Sequence, residues 1–320
     1  MMVRTLLVLL LVLAWLPAVQ AEEFFAAPLL REDYPQTLHG AVDLINSGRP
    51  EAALPAIASA ERALKRTRPS YHFYFLRGVC YRLLQKPAEA RAALKQSVSL
   101  RGSDADAHYL LATIYFEQKD FKAALPEFRD AAWFGKGRLF TPDLPHLRMG
   151  QILAQNSDPV GAQREYRLAL SLNAGCNAAR VALAKLLIEQ DRSEEAEKLL
   201  REALGRDPGF LPAKVELVYL LLALSSRTFD DTSIKEARRL AGEIIDPLKG
   251  MERYNSPVFG SYIKSLLATG DLKGAATEID AALLVLPENE DLRNIKKQVD
   301  LEAKASAAAS ASPSKEEQQP

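Results

Sequence analysis

The sequence predicts an all-α protein made of about seven helical hairpins stacked one on the next, and three observations predict it. An alanine follows each polar turn, at Ala53, Ala90, Ala124, Ala162, Ala196, Ala237 and Ala275, with spacings of 37, 34, 38, 34, 41 and 38 residues. A bulky residue lies four places later (Ile57, Leu94, Phe128, Tyr166, Leu200, Ile279), and a second small one seven places later (Ala60, Ser97, Ala131, Ala169, Ala203, Ala282). Nothing beyond the first 21 residues alternates with the period of two that a half-buried strand needs. A recurrence of this length marks an array in which each repeat is one supersecondary element.

Residues 1–21 read as an export signal. Arg4 precedes an uncharged apolar run, Leu6 to Leu16; Pro17 ends it, and Val19-Gln20-Ala21 supplies small residues for cleavage. The run holds about eleven residues where a bilayer span takes roughly 20. Cleavage near Ala21 and a periplasmic or secreted location are therefore expected; the alternative is an inner-membrane anchor left uncleaved. No cysteine follows the run to accept a lipid. Residues 22–33 carry Phe24, Phe25, Leu29 and Leu30, either as an N-terminal cap or as a segment that docks on a partner.

The array covers 34–289, in modules at about 34–67, 71–104, 105–138, 143–176, 177–210, 211–253 and 256–289. In each second helix the two small residues share one face with the bulky residue between them. A further small position recurs upstream, in the first helix, as Ala41, Gly78, Ala112, Gly150 and Ala184. Ser47-Gly48, Lys86-Pro87, Lys119-Asp120, Asp158-Pro159, Gln190-Asp191 and Gly270-Asp271 mark the turns within hairpins. Pro69, Gly135, Pro208 and Pro287 close several of them.

Two modules depart from the pattern. The sixth has a polar insertion, Ser225 to Ser233, between its helices, with Ala241 and Ile244 where bulky and then small are expected. An extra segment, Lys136 to Pro145, containing Phe140, precedes the fourth. Residues 290–304 read as a polar-backed capping helix with Leu292, Ile295, Val299 and Leu301 on its apolar side. Residues 305–320 are Ala/Ser-rich, then charged, and are expected to be disordered.

These residues resemble the tetratricopeptide repeat, whose 34-residue pattern runs bulky residue, leucine-glycine, tyrosine, turn, alanine, aromatic, alanine, proline. Tyr74, Gly78, Tyr81, Ala90, Leu94 and Ser97 follow it; so do Leu111, Ala112, Tyr115, Ala124, Phe128 and Ala131; Leu183, Ala184, Ala196, Leu200, Ala203 and Pro208 make a third match. The resemblance implies a right-handed superhelical solenoid of about seven hairpins, exported and bacterial in type, working by binding other proteins. It also implies that one face of each first helix lines a concave groove. Carried onto this sequence, the partner-binding residues are Val42, Phe75, Val79, Tyr109, Phe116, Leu147, Gln151, Lys185 and Tyr219. The family's carboxylate-gripping chaperone adaptors use lysines and asparagines there. Val42, Val79 and Thr113 stand instead, so that branch is not expected.

The residues themselves agree in part. The first helices of the second and third modules are apolar nearly all round, more than a single buried stripe requires. Either neighbouring hairpins bury them, or they form an apolar groove of the kind that binds a peptide or helix. Phe75, Tyr109, Phe116 and Tyr219 together offer about 6–12 kcal/mol gross. After an association cost of at least about 4 kcal/mol, that suits a reversible adaptor.

Chemistry is sparse. His39, His72, His108 and His146 fall in four different modules with no metal-ligand spacing, so no metal or cofactor is expected. Cys80 and Cys176, 96 residues apart, are expected as thiols, Cys80 buried and Cys176 more exposed. No nucleophile elbow or phosphate loop occurs, and catalysis is not expected. With 41 basic and 41 acidic residues the chain has no field to gather nucleic acid. The partners are expected to be proteins, in an envelope scaffold or, alternatively, as an auxiliary subunit of a membrane-associated enzyme, secretion or assembly machine.

Cleavage after Ala21 has a direct check. N-terminal sequencing of protein from the envelope fraction is expected to begin at Glu22; a start at Met1 or Met2 refutes it.

Overall fold

A computed structural model describes residues 34–64, 70–135, 137–228 and 231–311, and among them every regular element is a helix. The proposed signal, the segment before Tyr34 and the final residues from 312 lie outside that range. The chain divides into two compact units between Cys176 and Asn177.

The first unit opens with a 3-10 turn, Gln36–Leu38, and holds four hairpins. Their helices are α1 (His39–Asn46) with α2 (Pro50–Ala63), α3 (Tyr71–Leu83) with α4 (Pro87–Leu100), α5 (Ala105–Glu117) with α6 (Phe121–Phe134), and α7 (Asp143–Gln155) with α8 (Pro159–Leu172). The second unit holds α9 (Asn177–Glu189) with α10 (Ser193–Arg206), α11 (Leu211–Thr228) with α12 (Asp231–Ile245), a short α13 (Gly250–Tyr254), α14 (Phe259–Ala268) with α15 (Leu272–Val285), and α16 (Glu290–Ala311). Within each unit, a second helix packs on its own first helix and on the first helix of the next hairpin.

The repeat pattern is a packing pattern. All seven turn alanines are fully buried, as are Ile57, Leu94, Phe128, Leu200 and Ile279. The small residue on the first helix receives the bulky residue on the second. A Cβ on Gly78 would lie 2.6 Å from Leu94 Cγ, and one on Gly150 would lie 2.5 Å from the Tyr166 ring. Glycine inside a helix costs roughly 0.5–1 kcal/mol relative to alanine. It stands at these two positions because the facing side chain fills the space a methyl would need.

The turns repeat as closely as the helices. Five places before the alanine, one residue is left-handed: Gly48, Gln85, Lys119, Ser157, Asp191 and Gly270. The next residue donates its N–H back to the carbonyl five places earlier, Asp120 to Tyr115 and Asp158 to Leu153 for example, at 2.9 and 2.8 Å. This pairing satisfies carbonyls that a helix end leaves orphaned. Asp120, Asp158 and Asp271 then cap the second helix, each accepting the N–H three residues on.

Four expectations change. Of the expected insertion Ser225 to Ser233, Ser225 to Thr228 belong to α11 and Asp231 to Ser233 to α12, and residues 229 and 230 lie outside the described residues. The first part lengthens α11 to 18 residues, because Leu220 to Thr228 contains no breaker. In α12 the residues at the repeat positions are Ala237, Ala241 and Ile245, all buried, with Ile245 one residue later than the seven-place spacing elsewhere; Ile234, Leu240 and Gly242 are buried beside them. The capping helix runs on to Ala311, since alanine carries the helix onward. It buries Leu292 and Val299 but leaves Leu301 exposed. Pro145, assigned to the extra segment, sits in the first turn of α7, where its missing N–H costs nothing.

The Gly78 contact can be tested by overpacking. Gly78→Leu and Ala131→Phe are each expected to lower stability by about 1–3 kcal/mol. Denaturant unfolding measures this; a change below about 0.5 kcal/mol, the level of an ordinary surface substitution, rejects the contact as essential.

Candidate protein-binding surface

The first helices carry the residues expected to line a binding face, and the structure divides them. Val42, Phe75, Val79 and Leu147 are core residues, Phe75 only 1 % exposed. They are corrected from the candidate surface. For Phe75, Val79 and Leu147 the physical reason is two-sided packing, since their helices touch the second helix of their own hairpin and that of the hairpin before; Val42 lies on α1, which packs on α2 and beside the 3-10 turn. That burial is why α3 and α5 are apolar nearly all round.

Tyr109 is 8 % exposed, covered by a part of the chain that sequence reading left unplaced. The Phe140 ring stacks on it, with centroids 4.5 Å apart at 19°. Buried Asp106 fixes that segment, its carboxylate accepting the N–H groups of Arg138 at 2.8 Å and Leu139 at 2.9 Å. The extra segment thus occupies the face of α5 that was expected to meet a partner.

What remains accessible in the first unit lies toward the C-terminal ends of α3 and α5 and on α7. Phe116 is half-buried; it packs against Phe121 and Phe128 and carries the Arg148 guanidinium 5.3 Å from its ring centroid. Arg148 donates to Gln151 Oε1 at 3.1 Å. Arg82 is hydrogen-bonded to Glu117. Burial raises the Glu117 pKa, outweighing the opposing pull of Arg82 and Arg148. Arg82, Glu117 and Arg148 went unread because each is unremarkable alone, and only folding aligns them.

In the second unit Lys185 and Tyr219 are exposed as expected. Lys185 Nζ reaches Glu216 at 2.8 Å, and the Tyr219 hydroxyl, its residue 37 % exposed, donates to the Pro257 carbonyl at 2.8 Å. Burial, then the Glu216 charge, raises the Tyr219 pKa. These bonds link α9 to α11, and α11 to the residues leading into α14.

The remaining titratable groups pair across hairpins. His108 Nδ1 lies 2.7 Å from Glu127, and His146 Nδ1 lies 2.8 Å from Glu165, at equivalent positions of consecutive modules. Asp130, 3.9 Å from His108, makes this the one group of three potential metal ligands found among the described residues. Spacing along one helix could not show it, since α5 and α6 each contribute. His146 repeats the pair with Leu168 in place of Asp130, which identifies the pair as a hairpin clasp. Cys80 is buried, and burial pushes its thiol up to about 12. Cys176, expected to be more exposed, is buried too.

His108 gives a pH prediction. Burial lowers its pKa, but the Glu127 hydrogen bond, the Gly102 carbonyl and the charges of Glu127 and Asp130 together outweigh burial and raise it. A folded-state pKa above the unfolded one contributes stability that is present below the unfolded value and is lost as pH rises through the folded value. The stability gap between wild type and His108→Gln is therefore expected to be larger at about pH 6 than at about pH 9. Denaturant unfolding at both pH values checks it; a gap that widens toward high pH contradicts the ion pair.

Among the described residues no helix is long and apolar enough to cross a membrane. Two family models match the chain: anaphase-promoting complex, cyclosome, subunit 3, over residues 52–131, and tetratricopeptide repeat over residues 153–213. The chain is similar to a tetratricopeptide repeat protein from Parabacteroides merdae (15 % identity, 82 % of this chain and 97 % of that one, TM-score 0.56). It is similar to Pseudomonas aeruginosa pilF (15 %, 68 % and 93 %, TM-score 0.55). It is also similar to a chain of the APC/C hetero-tetramer Cut9-Hcn1 (16 %, 84 % and 50 %, TM-score 0.51). No curated protein matches the chain in sequence. The hairpin packing, the buried repeat positions and these matches agree: the chain carries tetratricopeptide repeats and has the tetratricopeptide-repeat fold, which supports a protein–protein interaction scaffold.

Proposed function

We propose that the protein is a non-enzymatic adaptor of the periplasm or cell envelope, which holds a peptide or helical segment of a partner against its first helices. The observation that carries this reading is a set of side chains the fold does not bury. Phe116 with Arg148 and Gln151 forms one patch in the first unit. Tyr219 with Lys185 and Glu216 forms another in the second. Each sets an accessible aromatic beside a charge, the combination enriched where proteins bind. The export-like residues 1–21 support the location. The matched family models indicate no catalytic family, which supports a binding role.

Magnitudes shape the mechanism. With Phe75 and Tyr109 covered, each unit keeps one of these aromatics, and each offers about 1.5–3 kcal/mol gross. That does not by itself offset an association cost of at least about 4 kcal/mol. Hydrogen bonds to the charged groups, worth about 1.5–3 kcal/mol each, must supply the rest. Recognition then depends on Arg148 and Lys185 as much as on the rings, and it is reversible.

Affinity capture from envelope extract, followed by titration of the captured protein, tests this. Phe116→Ala and Tyr219→Ala are each expected to weaken binding by about 1–2 kcal/mol. Each costs less stability than the roughly 3–5 kcal/mol expected for Phe75→Ala. Unchanged affinity in both surface variants refutes the first-helix face as the binding site.

A further inference from the structure

Between α6, α7 and α8 the first unit contains a cleft that the repeat pattern does not call for. Between the second and third hairpins the corresponding space is filled. Tyr115 lies there, with the Arg91 guanidinium 6.0 Å and the Lys95 ammonium 5.6 Å from its ring centroid. One hairpin on, the residue equivalent to Tyr115 is Leu153, and Leu125 and Arg129 replace Arg91 and Lys95. The shorter side chains leave an open cleft of about 390 Å³ with Leu125, Met149 and Leu153 among its lining.

Trp133 stands at its edge, 83 % exposed. The hairpins on either side place Ser99 and Ser171 at that position, so the fold has no need of an indole there. Two arginines flank it. Arg129 makes no ion pair or hydrogen bond among the described residues, and it is exposed. The Arg164 side chain is 71 % exposed and reaches Glu165 at 3.3 Å. That carboxylate is already held by His146 at 2.8 Å. The buried polar groups of the cleft are thus spent on each other. A small molecule would find no unsatisfied partner to orient it.

We propose that this cleft is a second docking site, separate from the first-helix face, for an acidic amphipathic helix of a partner protein. Its apolar side chains cover Trp133 and fill the space over Leu125, Met149 and Leu153, and its carboxylates meet Arg129 and Arg164. The recess favours a helix over a lipid surface, because a bilayer needs a projecting apolar patch and the near-neutral chain has no field to draw it.

Trp15 and Trp133 are the two tryptophans, so full-length protein carrying Trp15→Phe reports on Trp133 alone. The probe is a synthetic helix of leucine, alanine and glutamate, compared with the same peptide bearing lysine for glutamate. The acidic peptide is expected to shift Trp133 emission to the blue and to saturate, with the lysine peptide at least tenfold weaker. Arg129→Glu with Arg164→Glu should reverse that preference. Leu153→Tyr, which restores the ring of the neighbouring junction, should abolish binding, whereas Phe116→Ala should not alter it. Circular dichroism confirms that each variant is folded, and the arginine pair, being exposed, keeps the test open if Leu153→Tyr is not. No spectral change, equal responses to the two peptides, or a shift only with phosphatidylglycerol vesicles overturns the proposal.

Discussion

The rest of the structure depends on the contact in which a small residue on the first helix receives a bulky one from the second, seen most closely in the second and fourth hairpins. Gly78 against Leu94 and Gly150 against Tyr166 leave no room for a methyl group. The contact sets how closely the helices approach, and that distance buries the turn alanine. The turn in its type follows, because the chain must reverse within a few residues. Four non-glycine residues, Gln85, Lys119, Ser157 and Asp191, accept a left-handed backbone for it. Such a conformation costs roughly 1–2 kcal/mol per residue, and the capping bonds and packing on either side offset it.

The same closeness decides which surface is left for a partner. Once each first helix is packed on two sides, its apolar residues are used up, and recognition falls to what projects past the packing. Among the first-helix residues these are Phe116 in the first unit and Tyr219 in the second, each with its charged neighbours. Between α6, α7 and α8, Leu153 in place of a tyrosine accompanies the open cleft beside Trp133. Both proposed binding surfaces consist of what the hairpin packing leaves uncovered.

That distinction explains what could be read from the residues. The fold was legible because its pattern recurs along the chain, the turn alanine seven times, the bulky residue six and the small first-helix residue five, at spacings of 34 to 41 residues, so chance matches at any one position did not matter. The binding face was legible only in part. A helical wheel locates an apolar residue on a face but does not say whether a neighbouring hairpin or a partner covers it; Val42, Phe75, Val79 and Leu147 went to the neighbour, Lys185 and Tyr219 to the surface. Asp106 holding residues 138 and 139, and His108 meeting Glu127, join positions 19 to 33 residues apart through the fold. No local pattern carries that information. The run after Leu220 misled for another reason: serine and arginine read as loop by polarity, while lacking any residue that stops a helix.

The locality of the packing has a consequence for how the chain acquires its structure. Within each unit, helices pack only on others near them in sequence. Little chain entropy is lost before such contacts form, and folds of this kind form quickly. A hairpin can nucleate wherever its own contact closes first and spread to its neighbours. During synthesis the early modules need not wait for the late ones. The molecule can order itself at the pace at which it emerges.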